Sequence, residues 1–251
     1  MILEGAAVGP FFKNGYVVGC ERTRKAVFID PGDEVEQLLD FIRTEELDVT
    51  HILLTHAHVD HVSGLAEAKR ALGSPIYLHK DDLFLYQNAV RTGMMFGLTV
   101  EEPPPVDVFY DLATGSGSPR PFDKLKVVPS AVEGRAESRG EGEGPIVFGD
   151  YRVRVVHTPG HCPGGVCLAI SKSGDTTPPH LFVGDTLFAG SIGRTDLPGG
   201  DYETLLAAIT GTLFRFPDES IVHSGHGPET TIGRERATNP FVLEYLATKS
   251  P

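Results

Sequence analysis

Apolar residues along this chain come in short runs that end on polar, metal-type side chains. Ile52-Leu53-Leu54 is the clearest: three apolar residues between His51 and Thr55 read as a strand buried on both faces. Upstream, residues 14–20 and 25–29 are β-rich runs separated by Glu21-Arg22-Thr23-Arg24, the pattern of a hairpin with a polar turn. Asp30-Pro31-Gly32-Asp33 stops the second run. Val35, Leu38, Leu39, Ile42 and Leu47 then recur at helical spacing over 34–47, with Asp33 as the expected N-cap. Val62, Leu65, Ala68 and Leu72 predict a second helix over 60–72, followed by a strand at 75–78 and a helix at 80–92.

The pattern dissolves between 111 and 145 into Gly, Ser, Pro, Arg and Glu, too polar to order as core. A solvated, mobile insertion is expected there, with an active-site lid as the alternative; the run 125–128 is a candidate edge strand. Strand patterns resume at 151–156, where Tyr-Arg-Val-Arg-Val-Val alternates, and at 166–170, 181–183 and 221–222. No exact internal repeat is visible, and no second folded domain is expected after the insertion.

Four of these strands run out into chemistry-bearing residues. The strand at 52–54 leads to Thr55-His56-Ala57-His58-Val59-Asp60-His61, that at 151–156 to His161, that at 181–183 to Asp185, and that at 221–222 to His226. Strand ends are where active sites of layered α/β folds gather. Three histidines packed into one turn would repel one another if protonated, whereas neutral imidazoles around a divalent cation are good ligands. A metal is the simplest occupant.

Composition bounds the picture without changing it. With 251 residues, 29 Gly and 19 Pro, the chain suits one large sandwich-like or α/β domain spanning 1–251 better than a helical bundle. A formal charge of -12 opposes binding to nucleic acid or an anionic membrane face, which sets a nuclease reading back. The 3 cysteines, Cys20, Cys162 and Cys167, form no CxxC pair and no disulfide framework. The N-terminus has no basic-then-apolar signal pattern and no run approaches the ~18 apolar residues of a membrane span. A cytoplasmic, soluble protein is expected, its oligomeric state left open.

The histidine turn, Gly160-His161, Gly184-Asp185 and Gly225-His226-Gly227 resemble the metallo-β-lactamase superfamily and stand in that family's order. Within it, residues 184–201, reading GDTLFAGSIGRTDLPGGD, and 225–241, reading GHGPETTIGRERATNPF, are similar to single-domain glyoxalase II-like (hydroxyacylglutathione hydrolase-like) hydrolases. The resemblance implies an α+β fold, an αββα sandwich of two mixed β-sheets with helices outside and metals at one edge. It implies that His56, His58 and His161 hold one metal, that Asp60, His61 and His226 hold the other, and that Asp185 bridges them. Two divalent ions are implied, zinc first, with iron or manganese as alternatives. The implied reaction is hydrolysis of a small-molecule acyl thioester by a metal-bridging hydroxide that Asp60 orients.

Two-domain members of that family carry a C-terminal helical domain whose basic groups clamp glutathione. Only 25 residues follow His226, so that clamp is not expected here. The resemblance also admits a second reading, a persulfide dioxygenase with a single ferrous ion on His56, His161 and Asp185.

The other histidines have plainer expectations. His51 and His79 flank strands in structural roles, and His180 falls in a surface turn. His157 is a candidate support for His161, and His223 is the rival to His226 as ligand. The cysteines are expected to be small buried thiols, with Cys162 next to a ligand. Arg194 is expected to pair with Asp196 in a tight loop or to support the metal-site loop. Asp30 is ambiguous.

Overall fold

The computed structural model describes residues 1–110 and 146–249, so the expected insertion at 111–145 and its edge strand lie outside the described residues. Strands β1 (Ile2–Val8), β2 (Lys13–Gly19), β3 (Lys25–Ile29), β4 (Asp48–Leu53), β5 (Ile76–Leu78) and β6 (Val108–Phe109) form the first sheet in that order. It is mixed: β1, β2 and β3 run antiparallel, and β3 to β6 run parallel. The second sheet contains β7 (Ile146–Phe148), β8 (Tyr151–His157), β9 (Val166–Lys172) and β10 (His180–Gly184). A small hairpin, β11 (Leu187–Phe188) with β12 (Ser191–Ile192), precedes β13 (Ile221–Ser224) and β14 (Thr230–Thr231). The order of this sheet is β14-β13-β10-β9-β8-β7, with β10 and β13 parallel and the remaining pairs antiparallel.

The alternation of side chains along each strand builds three hydrophobic layers. In β3, Phe28 faces outward to the helices while Val27 and Ile29 face the second sheet; after β4, Leu54 joins Ile52 on the helix side, while Leu53 lies between the sheets. In β9, Leu168 packs between the sheets and Cys167 and Ala169 face the opposite helix layer. Because both faces of these strands are covered, they read as nearly continuous apolar runs. The outer layer on the first sheet includes Leu38, Leu39 and Ile42 of α1 (Glu36–Thr44), and α2 (Val59–Val62), α3 (Leu65–Leu72), α4 (Leu83–Gln87) and α5 (Ala89–Met95) follow. The layer on the second sheet is α6 (Tyr202–Gly211), α7 (Ile232–Thr238) and α8 (Pro240–Lys249), with Leu205, Leu206 and Ile209 of α6 facing it. The result is two mixed sheets face to face with helices outside, the architecture expected.

Local expectations needed correction in three places. Asp33 does not cap α1: the N-cap position falls two residues later, at Val35, and Asp33 Oδ1 accepts the neighbouring Glu34 N–H instead. The helix expected over 60–72 is broken at Ser63-Gly64, because Gly64 sits so close to the Gly32 carbonyl that a Cβ would lie 1.9 Å from that oxygen. That close approach docks the metal-type turn onto the loop after β3. The helix expected over 80–92 divides at Asn88, and α6 to α8 and β1 were not anticipated.

Candidate metal centre

The seven expected site residues converge on the sheet edge where β4, β8, β10 and β13 end. The turn after β4 brings His56, His58, Asp60 and His61; the loop after β8 brings His161; Asp185 and His226 follow β10 and β13. Two registers hold these ends together. Strands β10 and β13 pair in parallel, and the Gly225 N–H donates to Gly184 O at 2.8 Å. Val166 N–H donates to Thr55 O at 2.9 Å, tying the second sheet to the start of the histidine turn.

The potential ligand atoms divide into two groups with a shared member. His56, His58 and His161 place one nitrogen each within 4.8 Å of one another, and Asp60, His61 and His226 do the same with one carboxylate oxygen and two nitrogens. Asp185 stands between them: its Oδ1 is 3.3 Å from His61 Nε2, and its Oδ2 is 3.4 Å from His226 Nε2 and 3.6 Å from His161 Nε2. Asp60 Oδ2 is 3.2 Å from His226 Nε2.

Hydrogen bonds on the far side of each ring decide which nitrogen is left with a lone pair. A carbonyl or carboxylate oxygen can only accept, so the ring nitrogen facing it carries the proton. His61 donates from Nδ1 to Asp30 Oδ2 at 2.9 Å, His161 from Nδ1 to Arg194 O at 2.8 Å, and His226 from Nδ1 to Phe11 O at 3.1 Å. In the neutral ring each thereby carries its lone pair on Nε2, on the side of Asp185, and such outer contacts orient ligating imidazoles. Thr55 Oγ1 lies 3.2 Å from His56 Nδ1 in the same sense. His58 Nδ1 lies 2.7 Å from His161 Nε2, two ring nitrogens of one group in direct contact.

Several of these buried atoms have no hydrogen-bond partner: His56 Nε2, His58 Nε2, His61 Nε2 and Asp185 Oδ1. Orphaned buried polar atoms are rare and costly in folded proteins. Four of them gathered in one cluster fit divalent cations, and the donor set of imidazole and carboxylate is that of zinc, iron or manganese.

The charge distribution agrees. Burial opposes a positive charge on His61 and His226, yet carboxylates outweigh it: Asp30, Asp60 and Asp185 lift His61 to about 9, and Asp185 and Asp60 lift His226 to about 10. Burial and the neighbouring imidazoles push His56 well below its ordinary value and His58 down to about 4. Burial would raise the carboxyls of Asp60 and Asp185, but the adjacent imidazoles hold both below their usual range, Asp185 well below. A field that favours a proton on these nitrogens also favours a cation, and the two compete for the same lone pairs.

The supporting residues were mostly illegible in the sequence. Asp30, left ambiguous, is buried and accepts from Thr55 N at 2.7 Å, Thr55 Oγ1 at 2.6 Å and His61 Nδ1. Lys13 is 1% exposed, with Nζ donating to Asp30 O; burial lowers its ammonium to about 8 against the pull of Asp30, Asp60 and Asp185. Asp82, fully buried, accepts from Ala57 N at 3.1 Å, Gly164 N at 2.6 Å and Cys162 Sγ at 3.2 Å, so one carboxylate joins the histidine turn to the His161 loop. Arg194 meets both expectations at once: its guanidinium pairs with Asp196 at 2.7 Å while its carbonyl orients His161.

The remaining histidines sort away from the centre. His223 lies against Phe182 and Tyr16, with Nε2 2.9 Å from His180 Nδ1, and is not in either ligand group. His180 is therefore the first residue of β10 and half-buried, not a surface turn. His157 donates to Pro163 O at 2.8 Å and does not touch His161 itself. His51 lies within β4, with its ring near Tyr77. All three cysteines are free and buried.

Comparison with known proteins places these features in context. The family model described as "Metallo-beta-lactamase superfamily" matches residues 8–226. A relative from Haemophilus influenzae, "Hydroxyacylglutathione hydrolase GloC", is 34% identical, covering 87% of this chain and 88% of its own. Among solved structures, the BLEG-1 B3 metallo-beta-lactamase is 32% identical with a TM-score of 0.76, covering 96% of this chain and 99% of its own. TTHA1623, solved in a di-iron-bound form, is 38% identical with a TM-score of 0.71, covering 95% of this chain and 99% of its own.

Proposed function

The chain belongs to the metallo-β-lactamase superfamily, and from that premise we propose that it is a binuclear metal-dependent hydrolase of small acyl thioesters. One observation carries the proposal: seven side chains from four strand ends offer two three-ligand groups sharing a carboxylate. His56, His58 and His161 would hold one ion, Asp60, His61 and His226 the other, and Asp185 would bridge. Zinc is the first choice for both, with iron or manganese accommodated by the same ligands, and the di-iron relative widens that choice. When bound, such a pair supplies a water acidic enough to ionise near neutral pH and a Lewis acid for a carbonyl oxygen.

The chain's own residues supply orientation and charge. Asp60, 18% exposed against 11% for Asp185, is the less buried carboxylate of the centre and would accept a hydrogen bond from an incoming water. Asp30, Arg194 O and Phe11 O keep three imidazoles turned inward through their Nδ1 protons. No serine or cysteine nucleophile is needed, and Cys162, whose thiol burial and Asp82 push well above its ordinary value, is not an activated one.

The rim supports a thioester with an apolar portion. Phe11, whose carbonyl orients His226, lies edge-on to Phe96 at 5.7 Å, and their near neighbours in sequence, Phe12, Met94 and Met95, are exposed. Similarity to the hydroxyacylglutathione hydrolase relative supports a thioester substrate. Three free thiols fit a reducing cytoplasmic setting, and among the described residues no helix is long and apolar enough to cross a membrane.

The test is metal content of the purified protein measured beside turnover of S-lactoylglutathione and simpler acyl thioesters. Two ions per chain with thioester cleavage are expected. One iron per chain with oxygen uptake on glutathione persulfide would replace this reading with the dioxygenase one.

A further inference from the structure

Outside the seven-residue centre, one other ligand-type cluster exists among the described residues. His79, Asp81 and His157 place one donor atom each within 4.8 Å of one another. The cluster joins the two sheets: His79 follows β5 of the first, and His157 ends β8 of the second. The two rings stack at 4.6 Å between centroids with 21° between planes, and Asp81 Oδ2 lies 3.8 Å from His79 Nδ1.

The proton positions leave lone pairs free. His157 Nε2 donates to Pro163 O at 2.8 Å, so its Nδ1 is unprotonated in the neutral ring, and that outer carbonyl contact is the kind that orients a ligating imidazole. His79 Nδ1 accepts the Asp81 N–H at a long 3.3 Å, a contact that a cation could displace. Burial, then the His157 ring, lowers the His79 pKa, which favours the neutral, ligating form. Asp81 is 48% exposed, so the cluster opens to solvent on one side and ions can reach it.

We propose that His79, Asp81 and His157 form a further divalent-cation site, separate from the binuclear centre. Two imidazoles and one carboxylate select borderline cations such as zinc, cobalt or nickel over magnesium or calcium, with water completing the coordination. Its occupant bears on the centre through the chain: His157 holds Pro163, two residues beyond His161, so an ion here restrains the loop that carries a proposed ligand.

The metal-loaded full-length protein is titrated with Co2+, followed by visible absorption, and with Zn2+, followed by equilibrium dialysis. Asp81→Ala is the variant, since an exposed side chain is removed without touching the core; His79→Asn is the second, and thermal melts confirm that both fold. The wild type is expected to bind one equivalent more than Asp81→Ala and than His79→Asn. Equal stoichiometry and equal cobalt spectra in the wild type and both variants would overturn the site. The difference of one equivalent is read whether the main centre holds one ion or two, so failure here is distinct from failure of the hydrolase reading.

Discussion

Asp30 Oδ2 accepts the Nδ1 proton of His61 at 2.9 Å while both side chains are almost wholly buried, at 3% and 0% exposure. This single contact sets the tautomer of His61 and aims Nε2 at Asp185. Its removal tests whether orientation matters as much as the ligands themselves. Asp30→Ala should weaken metal retention by roughly 10–100-fold, the usual cost of losing an outer partner of a ligating histidine. Chelator competition followed by metal analysis measures it.

Gly225 is constrained by space. A Cβ there would lie 2.1 Å from Asp185 Oδ1 and 2.7 Å from His61 Cε1. Gly225→Ala should therefore displace two proposed ligands and lower metal content and turnover together. Gly211, at the end of α6, has nothing within 4 Å of the same added atom. Gly211→Ala should leave activity unchanged and stabilise by up to about 1 kcal/mol, read from urea midpoints.

Asp82 links two ligand-bearing loops through Ala57 N, Gly164 N and Cys162 Sγ. Asp82→Ala leaves two buried N–H groups without an acceptor, at about 1–3 kcal/mol each. A lowered melting temperature is expected, with loss of turnover exceeding the loss of folded protein at the assay temperature. Unchanged activity in a folded variant would show that the loops hold their register without it.

His223 makes the folded protein sensitive to acid. Burial, then His180, lowers its pKa from 6.5 to about 3. As pH falls through 6.5 the unfolded chain takes up this proton while the folded chain does not until near 3, so the unfolded state binds more protons across that window. Stability from this group is thus fully present above 6.5 and falls as pH falls towards 3. His223→Gln should lose less stability than the wild type between about pH 7 and about pH 5, measured as the shift in denaturant midpoint.

What the chain disclosed in advance follows from how locally each feature is encoded. The histidine turn packs four candidate ligands into six residues, so its chemistry is legible without any fold. His161, Asp185 and His226 stood out as metal-type residues beyond strand patterns, and the family resemblance, not the apolar runs, made them ligands and chose His226 over His223. Asp30, Lys13 and Asp82 were not, since their roles depend on partners 17 to 82 residues away. Phe11 and Arg194 act through backbone carbonyls, which no side-chain pattern marks. Strand β1, reading ILEGAAV, lacks alternation and carries Gly and Ala, and α6 buries Leu205, Leu206, Ala208 and Ile209, too apolar to show a clean stripe. The break at Gly64 reflects contact with Gly32, a tertiary fact written in neither neighbourhood.

The most direct measurement is metal stoichiometry and thioester turnover on the same preparations of wild type, His58→Ala and Asp185→Ala. Two ions at the seven-residue centre in the wild type, with ions and turnover lost together in both variants, are the expected result. Turnover surviving in either variant after its metal is gone would contradict the central claim that these side chains act by holding a pair of cations.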